Sequence, residues 1–200
     1  MEQYFFNYDL KPNLTLDDFF IGNSNINAFD ILINKDIENN NLFLLGPNKS
    51  GKTHLSQIWK KKYHALIYNN NLNELINQKK NILIDNLFNN INEEDIFHLI
   101  NHCNIYNLRI LITSNLPLND FKFNIYDLLS RLKTFYSIKI DLPDDELLIN
   151  LMMKLFKDQQ IIVKKQEIFH YIIKRIDRSY EKVFILVDQI DKLLFKKNKQ

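Results

Sequence analysis

The sequence predicts an α/β protein: a parallel five-stranded sheet flanked by helices, followed by a small all-helical subdomain. Three observations lead there. Between Asn41 and Ile140, short continuous apolar runs alternate with helix-compatible segments, the pattern of strands buried on both faces of a parallel sheet. The first run, Leu42-Phe43-Leu44-Leu45, leads into Gly46-Pro47-Asn48-Lys49-Ser50-Gly51-Lys52-Thr53. That octapeptide fits G-x-x-x-x-G-K-[ST], a loop between strand and helix whose backbone N–H groups wrap phosphates. After Asp141 no strand-like run of any length follows, and three helical periodicities close the chain.

Taken in order, residues Gln3-Tyr4-Phe5-Phe6-Asn7-Tyr8 place four aromatics within five positions, a composition suited to docking, either on a partner or on the protein's own core. Pro12 breaks the chain, and Thr15-Leu-Asp-Asp18 reads as an N-cap with an acidic first turn. Gly22 to Asn25 is a turn in which Ser24 can cap a helix carrying Ile26, Phe29 and Ile33. Strands are expected at Leu42–Leu45, Ala65–Tyr68, Ile82–Asp85, Arg109–Thr113 and Tyr136–Ile140. Helices are expected after the phosphate loop (His54–Lys62), through Leu72, Leu75 and Ile76, and from Asn92 with Ile96, Leu99 and Ile100 on one face. Pro143 with Asp144, Asp145 and Glu146 starts the helical subdomain, its acids at the positive end of a helix dipole.

Composition narrows the function classes. Two hundred residues allow one domain with a small appendage, and 46% hydrophobic content supports a core. A net charge of +2 does not by itself argue for nucleic-acid binding. One cysteine, Cys103, allows no internal disulfide and suits a reducing cytoplasm. No basic-then-apolar leader and no apolar run near 18 residues points to secretion or a membrane. Of only 3 glycines, two are Gly46 and Gly51, where backbone must approach a ligand closely.

Chemistry follows from the loop. Lys52 is placed to reach the outer phosphates, and the Thr53 hydroxyl to hold Mg²⁺. An acid at the tip of a neighbouring strand completes a magnesium site, and Ile82-Leu-Ile-Asp85 supplies Asp85. Hydrolytic members of this broad class place a second acid directly after, to orient or deprotonate water. Here that position is Asn86, and an amide cannot take a proton. Weak or absent intrinsic hydrolysis is therefore expected. Glu93, Glu94 and Asp95 are candidate substitutes, but acids opening a helix are more often dipole partners. Thr113-Ser114-Asn115 offers small polar groups where a γ-phosphate or its water is sensed, or else only caps the turn before Pro117. Arg131, in Ser130-Arg131-Leu132, can pair with a local acid or reach a neighbouring subunit's phosphate. His98, His102 and Cys103 have a metal-compatible spacing without a third or fourth ligand.

The ordered series of segments resembles the DnaA/Hda family of AAA+ proteins, and within it the shorter regulator Hda more than the initiator DnaA. The likeness covers nearly the whole chain. Phe19-Phe-Ile-Gly-Asn-Ser-Asn25 with Ala28 looks like the family's adenine-side segment, and Gly51-Lys-Thr-His54-Leu55 is the family's form of the phosphate loop. Ile84-Asp-Asn86, Leu111-Ile-Thr-Ser114, Ser130-Arg-Leu132 and Asp188-Gln-Ile-Asp191 follow in the expected order. The resemblance implies a clamp-binding-like peptide at 1–11, an AAA+ α/β nucleotide-binding subdomain at 12–141 and a helical lid at 142–200. It implies ADP or ATP with Mg²⁺ held by residues 46–54, Asp85, Asn115 and Arg178. It further implies docking through Gln3, Tyr4, Phe5 and Phe6 on the DNA polymerase III sliding clamp (β subunit). Arg131 would then act in trans as an arginine finger on DnaA-bound ATP, switching initiation off.

Three features set the expectation nearer to Hda: a chain that ends after the lid without a helix-turn-helix domain, Asn86, and the aromatic N-terminus. A homo-oligomer is compatible with this reading; sequence-specific DNA binding is not expected. One departure stands out, because Glu181 occupies the position of the family's lid sensor arginine, with Arg178 one helical turn earlier. Competing readings are an autonomous AAA+ ATPase, such as a DnaA-like initiator or helicase-loader module, and a phosphate-loop kinase for small molecules.

Overall fold

Apolar strands that alternate their side chains between two faces need helices on both, and the fold supplies them. The computed structural model describes residues 14–35, 41–88, 92–163 and 165–197. The Gln3–Phe6 segment lies outside the described residues. Strands β1 (Asn41–Leu45), β2 (Leu66–Ile67), β3 (Ile82–Ile84), β4 (Ile110–Ser114) and β5 (Tyr136–Lys139) form one sheet in the order β2-β3-β4-β1-β5. Every pairing is parallel, with Leu45 opposite Ser114 on one side of β1 and Lys139 on the other.

Helices α1 (Ile26–Phe29, continuing as a π-turn over Asp30–Asn34) and α2 (Lys52–Tyr63) cover one face. There Leu42, Leu44, Leu83, Leu111 and Ile138 meet Leu32, Leu55 and the fully buried Trp59. Helices α3 (Leu72–Gln78), α4 (Glu93–Ile105) and α5 (Tyr126–Leu132) cover the other, where Phe43, Ile82, Ile84, Ile110 and Ile112 meet Leu75, Ile96, Leu99, Ile100 and Leu128. The period of two along β1 is thus visible as Leu42 and Leu44 on one side and Phe43 on the other. Helices α6 (Asp145–Asp158), α7 (Glu167–Ile173) and α8 (Tyr180–Lys197) have their own core of Leu148, Met152, Phe156, Phe169, Ile173, Val183 and Val187. Asp144 caps α6 by accepting from Leu147 N–H at 2.8 Å. Among the described residues no helix is long and apolar enough to cross a membrane.

Two local expectations are corrected. Thr15–Asp18 opens no helix; it is a turn in which Thr15 Oγ1 donates to Asp18 Oδ2 at 2.6 Å, the bond that chiefly holds the Asp18 pKa below its ordinary value. The carboxylate expected to face a helix end is satisfied by the hydroxyl instead. Ser24 does not cap α1 either: Asn25 occupies that position, and Ser24 Oγ bonds elsewhere. The second strand, Leu66–Ile67, is shorter than its apolar run, Ala65–Tyr68, and pairs with β3 alone.

Cys103 is fully buried on α4, and burial pushes its thiol up to about 12. Little thiolate exists at neutral pH. The native protein is expected to resist a thiol-alkylating reagent and to label at the model-thiol rate only in denaturant; fast native labelling would contradict this burial.

Candidate nucleotide-binding site

Because all strands are parallel, their C-terminal ends share one rim, and the residues that follow β1, β3 and β4 converge there. The phosphate loop leaves β1 with Gly46 N–H bonded to the Ser114 carbonyl at 3.1 Å, which ties the loop to the end of β4. Its backbone is left-handed at Lys49 (φ 61°) and at Gly51 (φ 89°), an alternation of the kind that builds an anion-binding nest. A Cβ at Gly51 would also lie 3.1 Å from the Phe19 ring, so the position needs glycine twice over. Gly46 is equally confined, with Ile140 and Ser50 Oγ each 3.0 Å from a virtual Cβ. Gly51 is the N-cap of α2, whose first turn carries Lys52 and the exposed Thr53.

Lys52 Nζ donates to the loop's own carbonyls at Gly46 (2.8 Å) and Pro47 (2.7 Å). Burial lowers its pKa, opposed by the charge of Asp85. Ser50 Oγ is buried without a hydrogen-bond partner among the described residues. A cradle closed to any Cβ, an ammonium folded over it and an orphaned hydroxyl fit a phosphate chain. Asp85 fits the acid's role: its Oδ1 accepts from Thr113 Oγ1 at 2.7 Å, leaving Oδ2 without a hydrogen bond among the described residues. When bound, Mg²⁺ would supply charge neutralisation at the outer phosphates, held by Thr53 and Asp85.

The end of β4 sorts its three candidates. Thr113 is buried and acts as a hub, donating to Asp85 and accepting Asn86 N–H at 2.7 Å. Asn86 is left-handed (φ 60°), a conformation Asn tolerates. Ser114 Oγ bonds the Leu116 carbonyl (2.5 Å) and N–H (3.0 Å), so it caps the turn. Asn115 Nδ2 reaches Asn48 Oδ1 of the phosphate loop at 3.0 Å. It therefore stands beside the site.

Other candidates are already engaged. Glu93 accepts from Asn124 and Ile125 N–H at 3.1 and 2.8 Å, and Asp95 from Tyr68 Oη at 2.8 Å, bracing a cleft of about 650 Å³ whose lining includes no phosphate-loop residue. Arg178 forms a two-pronged pair with Asp145 at 2.9 and 3.0 Å, and Glu181 is exposed in the first turn of α8. No group of three metal-ligating residues occurs among the described residues, so His98, His102 and Cys103 remain without further ligands. Arg131, half-exposed on the last turn of α5, bonds Asp127 at 3.3 Å and lies 4.6 Å from the Phe97 ring centroid. Its contacts are with α4 and α5, not with the chain's own phosphate loop.

Sequence reasoning did not find the contacts that join the sheet to the helical subdomain. The Ser24 and Tyr180 hydroxyls hydrogen-bond at 2.8 Å, both buried. Asn23 donates to Asp144 at 3.0 Å, and Lys154 to the Asp18 carbonyl at 2.9 Å. His54 Nε2 lies 2.7 Å from the Thr15 carbonyl and its ring meets Phe19 edge-on; burial is the main reason its pKa falls. The segment before α1 is thus clasped by α2, α6 and α8. Tyr180→Phe is expected to cost about 1–2 kcal/mol in denaturant unfolding, because it leaves Ser24 Oγ buried and unpaired. An unchanged midpoint would show that this hydroxyl pair is stabilised elsewhere.

No family model matches the sequence, and no curated protein matches it. Solved structures do. A DNA replication initiation factor superposes with TM-score 0.73 at 19% identity, over 96% of this chain and 69% of that one. Domain III of the Thermotoga maritima replication initiation protein DnaA gives TM-score 0.69 at 19% identity, over 94% and 90%. The fold is that of DnaA domain III. AMPPCP-bound DnaA from Aquifex aeolicus matches with TM-score 0.69 at 19% identity, over 91% of this chain. This chain spans 66% of the Aquifex structure. The shared fold accounts for the strand order and for the rim on which Gly46, Asp85 and Asn115 lie.

Proposed function

We propose that this chain is an Hda-like regulator of replication initiation. It binds ADP or ATP with Mg²⁺ in the Gly46–Thr53 loop and acts mainly by promoting hydrolysis of DnaA-bound ATP in trans. One observation carries the reading: a cradle that fits phosphate stands beside Asn86, an amide where a hydrolytic site of this class needs a base. The likeness to AMPPCP-bound DnaA supports an adenine nucleotide as the ligand. Arg131, whose side chain pairs with Asp127 and lies against the Phe97 ring, is the guanidinium offered to the partner's phosphates. Gln3, Tyr4, Phe5 and Phe6 are the segment proposed to dock on the sliding clamp.

The test combines two assays. Purified protein with ATP and Mg²⁺ is expected to show negligible steady-state turnover. The same protein, added with the sliding clamp loaded on DNA, is expected to raise the ATPase rate of DnaA. Absence of stimulation at saturating protein sinks the regulatory reading. The likeness to DnaA itself favours one alternative, an autonomous ATPase of the initiator or helicase-loader type; substantial turnover by the protein alone would establish it.

A further inference from the structure

The phosphate loop carries two ammonium groups, and they are placed differently. Lys52 is satisfied by two loop carbonyls. Lys49 has no carboxylate within ion-pair distance among the described residues; its Nζ lies 5.4 Å from the centroid of the Phe184 ring on α8. Its backbone holds a left-handed conformation at φ 61°, unfavourable for a lysine and easy for a glycine. His64 and Lys79 hold similar angles, but at helix C-termini, where that conformation closes a helix. Lys49 instead sits between Asn48, which Asn115 anchors, and Ser50, which is buried.

At the start of α8, Glu181 is acidic, and Arg178, just before the helix, is committed to Asp145. Phe184 is flanked on α8 by Tyr180, Val183 and Val187, all buried. A contact with this ring is therefore a contact with the subdomain's core helix.

We infer that Lys49 is a phosphate-responsive link between the loop and the helical subdomain. Its ammonium rests on Phe184 when the loop holds no phosphate and moves to the phosphate when one binds, which releases α8 from the loop. The direction follows from strength, since a charge-assisted bond to an anion exceeds a cation resting on an aromatic face. The two contacts draw on one ammonium, so they are mutually exclusive and thermodynamically opposed. This rests on the nucleotide-binding reading above and adds a residue-level consequence to it.

The experiment measures ADP affinity by titration calorimetry for the wild type, Lys49→Met, Phe184→Leu and the double variant. Each is first checked by thermal melting for a native-like transition. Lys49→Met keeps side-chain length without charge and is expected to weaken ADP binding about tenfold. Phe184→Leu removes the competing ring and is expected to tighten ADP binding about threefold when Lys49 is present, and not at all in the Lys49→Met background. A merely structural role for Phe184 would instead weaken binding in both backgrounds. The inference is overturned if Lys49→Met binds ADP within twofold of the wild type, or if Phe184→Leu acts equally in both backgrounds. Wild-type protein that binds no ADP overturns the nucleotide reading itself, a distinguishable result.

Discussion

Lys52→Met is expected to bind ADP and ATP about a hundredfold more weakly than the wild type, while unfolding at nearly the same temperature without nucleotide. The size follows from the chemistry removed. Lys52 is the ammonium that folds over the loop, 2.8 and 2.7 Å from its carbonyls, and a phosphate chain would exchange those acceptors for charged ones. Two charge-assisted hydrogen bonds at about 1.5 kcal/mol each give about 3 kcal/mol, or two decades in affinity. The stability side follows from burial: the Lys52 charge is already disfavoured by desolvation, so its removal relieves one cost while leaving two loop carbonyls without a donor. Calorimetric titration and a thermal melt decide the matter together. Binding within threefold of the wild type would show that the Gly46–Thr53 cradle does not hold phosphate in the expected way.

Arg131→Ala is expected to remove stimulation of DnaA's ATPase by about a thousandfold while leaving ADP affinity unchanged. Arginine fingers acting in trans contribute effects of that order through charge stabilisation at the transferring phosphoryl group. The local geometry permits the residue to be given up to a partner. Its bond to Asp127 is a 3.3 Å pair at i, i+4, with side-chain exposures of 35% and 63%, and such pairs contribute only about 0.5 kcal/mol. The Phe97 ring aligns the guanidinium rather than sequestering it. Arg131→Lys is expected to fail as well, since a point charge does not reproduce the planar fork. Full stimulation by the alanine variant would remove Arg131 from the mechanism; a parallel loss of ADP affinity would relocate its action to the chain's own site.

Much of the site was legible because its parts are local. Gly46, Gly51, Lys52 and Thr53 lie within one octapeptide whose spacing encodes strand, loop and helix. Asp85 was legible for a related reason: an acid at the end of a buried apolar run has to emerge at the strand's tip. The roles around β4 were not legible. Thr113, Ser114 and Asn115 are consecutive small polar residues, yet one steadies Asp85, one closes a turn and one reaches Asn48. What separated them was the remote partner each meets, Asp85 for Thr113 and Asn48 for Asn115. Thr15–Asp18 was misread because the same short polar pattern suits a helix cap and an isolated turn. In the folded chain the turn also meets a distant residue, His54 against the Thr15 carbonyl.

The sequence by itself determined the fold class, the strand–loop–helix at Gly46–Thr53, an acid at the tip of β3 and the absence of a carboxylate at position 86. These depend on periodicity and on spacings of a few residues, which a chain cannot alter without changing its own backbone. Only the tertiary structure decided how the sheet and the helical subdomain are joined. Ser24 meets Tyr180 across 156 positions, Lys154 meets Asp18 across 136, and Lys49 of the phosphate loop rests on Phe184 of α8. Such contacts follow from where parallel strands and packed helices bring remote side chains, and no local pattern carries that information. The Gly46–Thr53 loop was therefore readable from eight residues, whereas the Phe184 ring that its Lys49 meets was visible only in the folded chain.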